Sequence, residues 1–417
     1  MLCTNIKTSK GLDHENIAAE SIQDRRKEMD VTCGPMGKVH DYIPFYFTTR
    51  NPMFLGVINS KNVDQEMLIF LAIPIQKLLE SNVVFTDASA NTTIAPNFYS
   101  DAADLDKLNW NEIDSTSWGS KNDALRHQRM AEVLVHEQVP LDWISNVIVW
   151  NKSFLEYTEE RFKKYELTPK VQYEPLAKKF FYYTKWAIQN RSDETLVTGP
   201  HFLNLLLKNL QKKILAKREN REIYTFETID KTLEAISKDF CSLEELKGIY
   251  KLETINDVHD ENVGDHTLKV VGNLDQFDYY KNLSDSDQMI VKLSAYLHDI
   301  GKGPASKWKD GKQPAYPDHP ADSLKMLERI LSEEIKTLSD DDIRKICLLV
   351  GYHDILGDIV GRNRKKSELF SVLENENDLN MLIALSLADI KAIRRDWYYN
   401  LSAELPNIVK EFKQYNK

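Results

Sequence analysis

The stretch Leu293-Ser-Ala-Tyr-Leu-His-Asp-Ile-Gly-Lys302 constrains this chain more than any other. Val291, Leu293, Leu297 and Ile300 form an apolar run at helical spacing. Gly301, Gly303 and Pro304 then stop the helix. The helix therefore ends on an adjacent nitrogen and oxygen donor, His298 and Asp299. A helix end can deliver both into a cleft and hold a metal ion from one rigid point, provided other segments supply the remaining ligands.

The final third of the chain offers them. It reads as nearly all helix, with segments near 264–275, 286–299, 318–336, 340–353, 366–374 and 379–412. His266 starts one helix, His319 starts another, and His353 closes a third. Asp389 lies within the apolar run Leu385-Ser-Leu-Ala-Asp-Ile. Four imidazoles with carboxylate oxygens suit borderline divalent metals such as Mn, Fe, Co, Ni or Zn. A single buried histidine is more often a satisfied core residue than a ligand. Here five of the ten histidines fall between His259 and His353, and four sit at helix ends. Spacing alone leaves both readings open.

A length of 417 residues points to two or three domains, and 42% hydrophobic residues can bury a sizeable core. Cys3, Cys33, Cys241 and Cys347 lie far apart with no Cys-x-x-Cys pair. That argues against a zinc ribbon or a disulfide framework and fits a reducing, cytoplasmic setting. No apolar run approaches the roughly 20 residues of a membrane span. The first residues also lack the basic-then-apolar pattern of a signal peptide. The net charge of -10 is uneven: residues 161–250 are basic between two acidic parts. An acidic front disfavours broad nonspecific binding of nucleic acid but leaves room for a small site with local arginines.

The front reads as mixed α and β. Ile17, Ala18, Ala19 and Ile22 make an amphipathic run ending at Arg25-Arg26. Residues 42–47, 67–75, 83–85 and 143–150 read as strands, 67–75 as one buried on both faces. Residues 126–135 are ambiguous between helix and strand. From residue 177 the pattern becomes helical. The basic run Lys208, Lys212, Lys213, Lys217 and Arg218 reads first as a solvated face, with a phosphate contact as the sharper alternative. Glu132 stands in the apolar segment Ala131-Glu-Val-Leu-Val135, where a carboxylate is out of place unless it has a partner.

In order, His266, His298-Asp299 and Asp389 resemble the HD-domain phosphohydrolase superfamily over roughly residues 255–400. His-Asp-Ile-Gly-Lys is a specific form of its central motif, and His319 and His353 resemble the extra histidines of members that hold two metals. The resemblance implies an all-helical domain that hydrolyses phosphoesters with one or two divalent ions (Mn, Fe, Mg, Co, Ni or Zn). Asp299 would be shared by two ions, Lys302 would contact phosphate, and a phosphorylated nucleotide would be the partner. A solvated lysine after a helix end is the plain alternative for Lys302.

The front resembles the DarT family of NAD-dependent ADP-ribosyltransferases, which modify thymidine in single-stranded DNA. The resemblance rests on Ile22-Gln-Asp-Arg-Arg26, His40-Asp-Tyr-Ile-Pro-Phe-Tyr-Phe47, Asn51-Pro-Met53, Val84-Phe-Thr-Asp87, the stretch from Phe98 to Trp110, and Gln128-Arg-Met-Ala-Glu-Val-Leu-Val135. It implies Glu132 as the catalytic glutamate and Arg25 as the arginine that contacts NAD. Asn5, His40, Tyr46, Arg126 and Arg129 would contact NAD or DNA, and residues 98–130 would present the target base. An antitoxin partner and a toxin setting are implied only by the resemblance. The family opens with a further strand and helix bearing a His and an Asn. The resemblance implies that about 30 residues of that pattern would be absent before Met1, which would open a sheet edge.

The expected architecture is therefore multidomain α+β. A mixed α/β ADP-ribosyltransferase-like domain (1–165) leads through a basic helical connector (166–250) to an all-α HD domain (251–417). The expected function is NAD-dependent ADP-ribosylation of thymidine in single-stranded DNA, with an attached phosphohydrolase or regulatory domain. Two alternatives stand beside it: a working phosphohydrolase behind an inactive front, and a non-enzymatic protein that binds DNA and senses a nucleotide.

Overall fold

A computed structural model describes residues 1–13, 20–92, 95–115, 122–174, 178–189, 193–255 and 261–415. The expected run at 17–19 and His259 fall outside them. The chain divides into two compact units: Met1–Ile58 with Gln65–Thr184, and Asn59–Asp64 with Lys185–Lys417. Among the described residues no helix is long and apolar enough to cross a membrane.

In the first unit the strands are β1 (Tyr42–Tyr46), β2 (Phe70–Ala72), β3 (Val83–Thr86), β4 (Phe98–Tyr99), β5 (Glu132–His136), β6 (Asn146–Ile148) and β7 (Lys170–Gln172). They form a four-stranded sheet ordered β1-β5-β3-β4 and a three-stranded sheet ordered β2-β6-β7. β5 lies antiparallel between β1 and β3, with Tyr46 opposite Glu132 and Phe85 opposite Val133. A central strand loses access to water on both edges. Val83, Phe85, Ala131 and Val135 accordingly bury in one apolar cluster, and Val84 and Leu134 in another.

The ambiguous stretch is both things in turn: a helix, Asp123–Gln128, then β5. The strand expected over 67–75 shrinks to the three half-buried residues of β2, with 3-10 turns at Gln65–Met67 and Ile75–Leu79. Pro74, which donates no backbone N–H to a ladder, stands just beyond the C-terminal end of β2. Residues 1–3 run beside 137–139: Cys3 N–H donates to the Glu137 carbonyl at 2.8 Å and Val139 N–H to that of Met1 at 2.9 Å.

The second unit is helical around one large core. The stretch expected as a connector supplies Leu203, Leu207, Leu210 and Ile214 to that core from the helix Pro200–Arg218. Val263–Asn273, Asp285–Leu297, His319–Arg329, Asp340–Tyr352 and Lys366–Val372 fall where helical periodicity places them. The last expected helix is two, Glu376–Ile393 and Arg395–Tyr415, parted at Arg394, which is extended at φ -149°. A short helix, Ile355–Arg362, was not expected; it closes on Asn363 at φ +57°, the left-handed stop that asparagine tolerates.

Candidate functional site

Two centres emerge, one in each unit. In the first, Glu132 is wholly buried at the start of β5. A carboxylate there must be paired. Arg26 grips it with two bonds, Nη1 to Oε1 at 2.9 Å and Nη2 to Oε2 at 3.0 Å. The Ala90 N–H also donates to Oε1 at 2.9 Å. The Glu132 N–H donates to Thr86 Oγ1 at 3.0 Å, and that hydroxyl donates to the Ala88 carbonyl at 2.6 Å. These bonds tie the 87–92 loop to the strand. Ser89 adds a 2.7 Å bond to His127 Nδ1. Burial disfavours the Arg26 charge, but the Glu132 carboxylate outweighs it and the arginine pKa is raised. Burial, and then the Glu132 charge, raise the Tyr46 phenol.

The helix Glu20–Glu28 explains which arginine arrives. Positions three apart share a helix face. Gln23 meets His40 Nε2 at 3.0 Å, and Arg26 meets Glu132. Arg25 is on another face and exposed. Geometry therefore brings Arg26 to the glutamate and leaves Arg25 outside the pair. Tyr46 is half-buried beside Glu132, and burial followed by the Arg26 charge lowers the His40 pKa. Asn5 is exposed and bonds Asp41 at 2.7 Å. Arg126 is exposed and pairs with Asp123 at 3.1 Å. Arg129 is buried and donates to the Ser115 carbonyl at 2.9 Å.

In the second unit all six expected ligands converge. His266, His298 and Asp389 form one donor group, His298, Asp299 and His353 a second, and His319, His353 and Asp354 a third. Within each group the donor atoms lie within 4.8 Å of one another. Local structure builds them. His298 and His353 cap the C-terminal ends of their helices and fold back, so that Nδ1 meets the carbonyl three residues earlier: Ala295 at 2.7 Å and Val350 at 2.8 Å. His319 Nδ1 meets the Tyr316 carbonyl at 2.7 Å. The open carbonyls of the His298 and His353 caps accept from Ser323 and Ser386, each at 2.8 Å.

These bonds decide the tautomers. A proton on Nδ1 leaves each Nε2 with a lone pair. His319 Nε2 and His353 Nε2 then face each other at 3.0 Å as two acceptors. His298 Nε2 and Asp299 Oδ1 are buried with no hydrogen-bond partner among the described residues. Converging acceptors beside Asp299, Asp354 and Asp389 could hold a divalent cation. Burial above all pushes the His319 pKa down to about 3, so that ring is neutral, as a ligand must be. Burial opposes charge on His266, but the Asp389 carboxylate at 3.0 Å helps raise its pKa to about 9. Lys302 reaches Asp299 Oδ2 at 2.6 Å. The sequence reading missed Asp354, although it follows His353 as Asp299 follows His298.

The family model described as "ssDNA thymidine ADP-ribosyltransferase, DarT" matches residues 1–182. A DNA ADP-ribosyl transferase of Thermus sp. (strain 2.9) is 30% identical over 142 residues, covering 33% of this chain and 67% of that protein. The chain belongs to the DarT family. Another DNA ADP-ribosyl transferase, from Thermus aquaticus, is 29% identical over 177 residues, covering 41% of this chain and 76% of its own length. Among solved structures, Thermus sp. 2.9 DarT in complex with ADP-ribosylated ssDNA aligns at 27% identity and a TM-score of 0.39, over 44% of this chain and 87% of that one. Both Glu132 and Arg26 lie within the part of the chain that the DarT model matches.

Proposed function

We propose that the first unit transfers ADP-ribose from NAD to thymidine in single-stranded DNA, and that the second is a metal-dependent phosphohydrolase of the HD type. For the transferase the carrying observation is Glu132, a wholly buried carboxylate fixed by Arg26 and the Ala90 N–H in a chain of the DarT family. The DNA ADP-ribosyl transferases of the two Thermus relatives support the activity.

In this reading Glu132 accepts a bond from a hydroxyl of the nicotinamide ribose and stabilises positive charge on the ring as nicotinamide leaves. Arg26 pairs with the carboxylate through two bonds and keeps it aimed. Arginine stays charged in proteins, so its part is positioning rather than proton abstraction. Tyr46 and His40 shape the adjoining strand; Arg126, exposed, is suited to DNA phosphate.

The experiment is incubation of the full chain with NAD and a thymidine-containing oligonucleotide, read by mass spectrometry. One added ADP-ribose, lost in Glu132→Ala, is the expected result. No added mass, or full activity in Glu132→Ala, overturns the assignment.

For the second unit, the facing lone pairs of His319 and His353 carry the reading. The six expected ligands and Asp354 would hold one or two divalent ions. Such an ion supplies Lewis acidity toward a phosphoryl oxygen. Lys302 would take a phosphate oxygen. Metal analysis tests it: at least one equivalent, lost on His298→Ala, is expected, and less than one equivalent in the wild type refutes it.

A further inference from the structure

Residues Asn59–Asp64 belong to the second unit, although in sequence they lie between two segments of the first. The excursion is anchored at several points. Asn62 donates to the Asn363 carbonyl at 2.9 Å and accepts from the Lys365 N–H at 2.7 Å. Asp64 accepts from the His201 and Phe202 N–H groups at 3.1 and 3.0 Å, at the start of the helix Pro200–Arg218. A Cβ at Gly199 would come within 2.5 Å of the Asp64 Cα, so only glycine allows the approach.

Between these anchors stands Lys61, buried and held at φ +56°, a left-handed conformation that L side chains rarely adopt. Its ammonium meets Asp358 Oδ2 at 2.9 Å and Asp354 Oδ2 at 3.4 Å. Asp354 in turn lies 3.6 Å from both His319 Nε2 and His353 Nε2. The Asp354 side chain is 26% exposed, the most open donor of its group. Carboxylate ligands that open toward solvent need a partner to hold their rotamer.

We propose that Lys61 is a positioning residue of the His319–His353–Asp354 group, turning the Asp354 carboxylate toward the two imidazoles and so setting how tightly that group binds a divalent ion. This rests on the metal-binding reading of the second unit. Lys61 divides its contacts between Asp354 and Asp358, so its ammonium is shared between two carboxylates. Asp358 is itself held by Arg364 at 3.2 Å and Arg362 at 3.3 Å, so it does not depend on Lys61. The residue that completes the group therefore comes from a six-residue excursion, Asn59–Asp64, that both leaves and rejoins the chain of the DarT-like unit.

The test is titration of metal-stripped full-length protein with Mn2+, followed by calorimetry and electron paramagnetic resonance. The wild type is expected to take two equivalents. Lys61→Met should weaken one of them about 10- to 100-fold, the usual effect of losing a partner to a metal ligand, and leave the other unchanged. Lys61→Gln keeps a donor at shorter reach and should give an intermediate loss. It serves also if circular dichroism shows that Lys61→Met does not fold. Wild-type affinity for both equivalents in the folded variants, whatever their thermal stability, overturns the proposal. Failure of the wild type to bind Mn2+ overturns instead the metal reading beneath it.

Discussion

Arg26→Met strands the Glu132 carboxylate. Glu132 is wholly buried and the Arg26 side chain only 11% exposed, so little water is present to replace the lost partner. Removing one member of such a pair costs about 3–5 kcal/mol. The Ala90 N–H still donates to Glu132, which sets the expectation near the lower end, about 3 kcal/mol. In a unit of this size that lowers the melting temperature by about 6–12 °C. Scanning calorimetry of the full chain measures it. The informative variant is the double one, Arg26→Met with Glu132→Leu. It removes both charges at similar volume and should recover the loss to within about 1–2 kcal/mol, the remainder being the Ala90 N–H left without its acceptor. If the double variant is as unstable as Arg26→Met alone, the cost lies in packing and the stranded-charge argument fails. Neither variant should transfer ADP-ribose.

Gly301→Ala should abolish metal binding, because a Cβ there collides with the His319 carbonyl and the Ser323 backbone N; metal analysis equal to wild type would refute this. Burial raises the Asp287 carboxyl, but the bonds from Lys345, Ser284 and Asn377 outweigh it and depress its pKa. Its stabilising effect is therefore present above the ordinary carboxylate range and lost as pH falls through the depressed value. Asp287→Asn should accordingly flatten the acid limb of the unit's stability profile, and an unchanged limb counts against the assignment. Burial pushes the Cys347 thiol up to about 12, so it should resist thiol reagents at pH 8 until the protein unfolds, while the half-buried Cys241 reacts.

The helices of the second unit were legible because apolar spacing of 3.6 residues survives in local sequence. So were the six donors, each a polar residue at the end of an apolar helix or within one. Asp354 was overlooked although its sequence context repeated that of Asp299. The arginine beside Glu132 was harder. Arg25 and Arg26 are adjacent, and a helix turns each by about 100° from the last, so only the docking of Glu20–Glu28 through Gln23 and His40 selects one. The boundary between the units was hidden for a related reason. Composition marks a basic middle, but the core drew the helix Pro200–Arg218 into the second unit.

Sequence alone determined the chemistry available: a carboxylate in an apolar strand, and a string of histidines and aspartates on helices. Those features are local, since each depends on a residue and its near neighbours. Tertiary structure decided who meets whom. Lys61 stands near 60 in a chain whose partner carboxylates are near 354 and 358, and no local rule spans that gap. The imidazole lone pairs were decided by backbone carbonyls three residues earlier, and brought face to face by helix packing. Charge and hydrogen bonding act over a few ångströms, so pairing is settled only when the chain has folded.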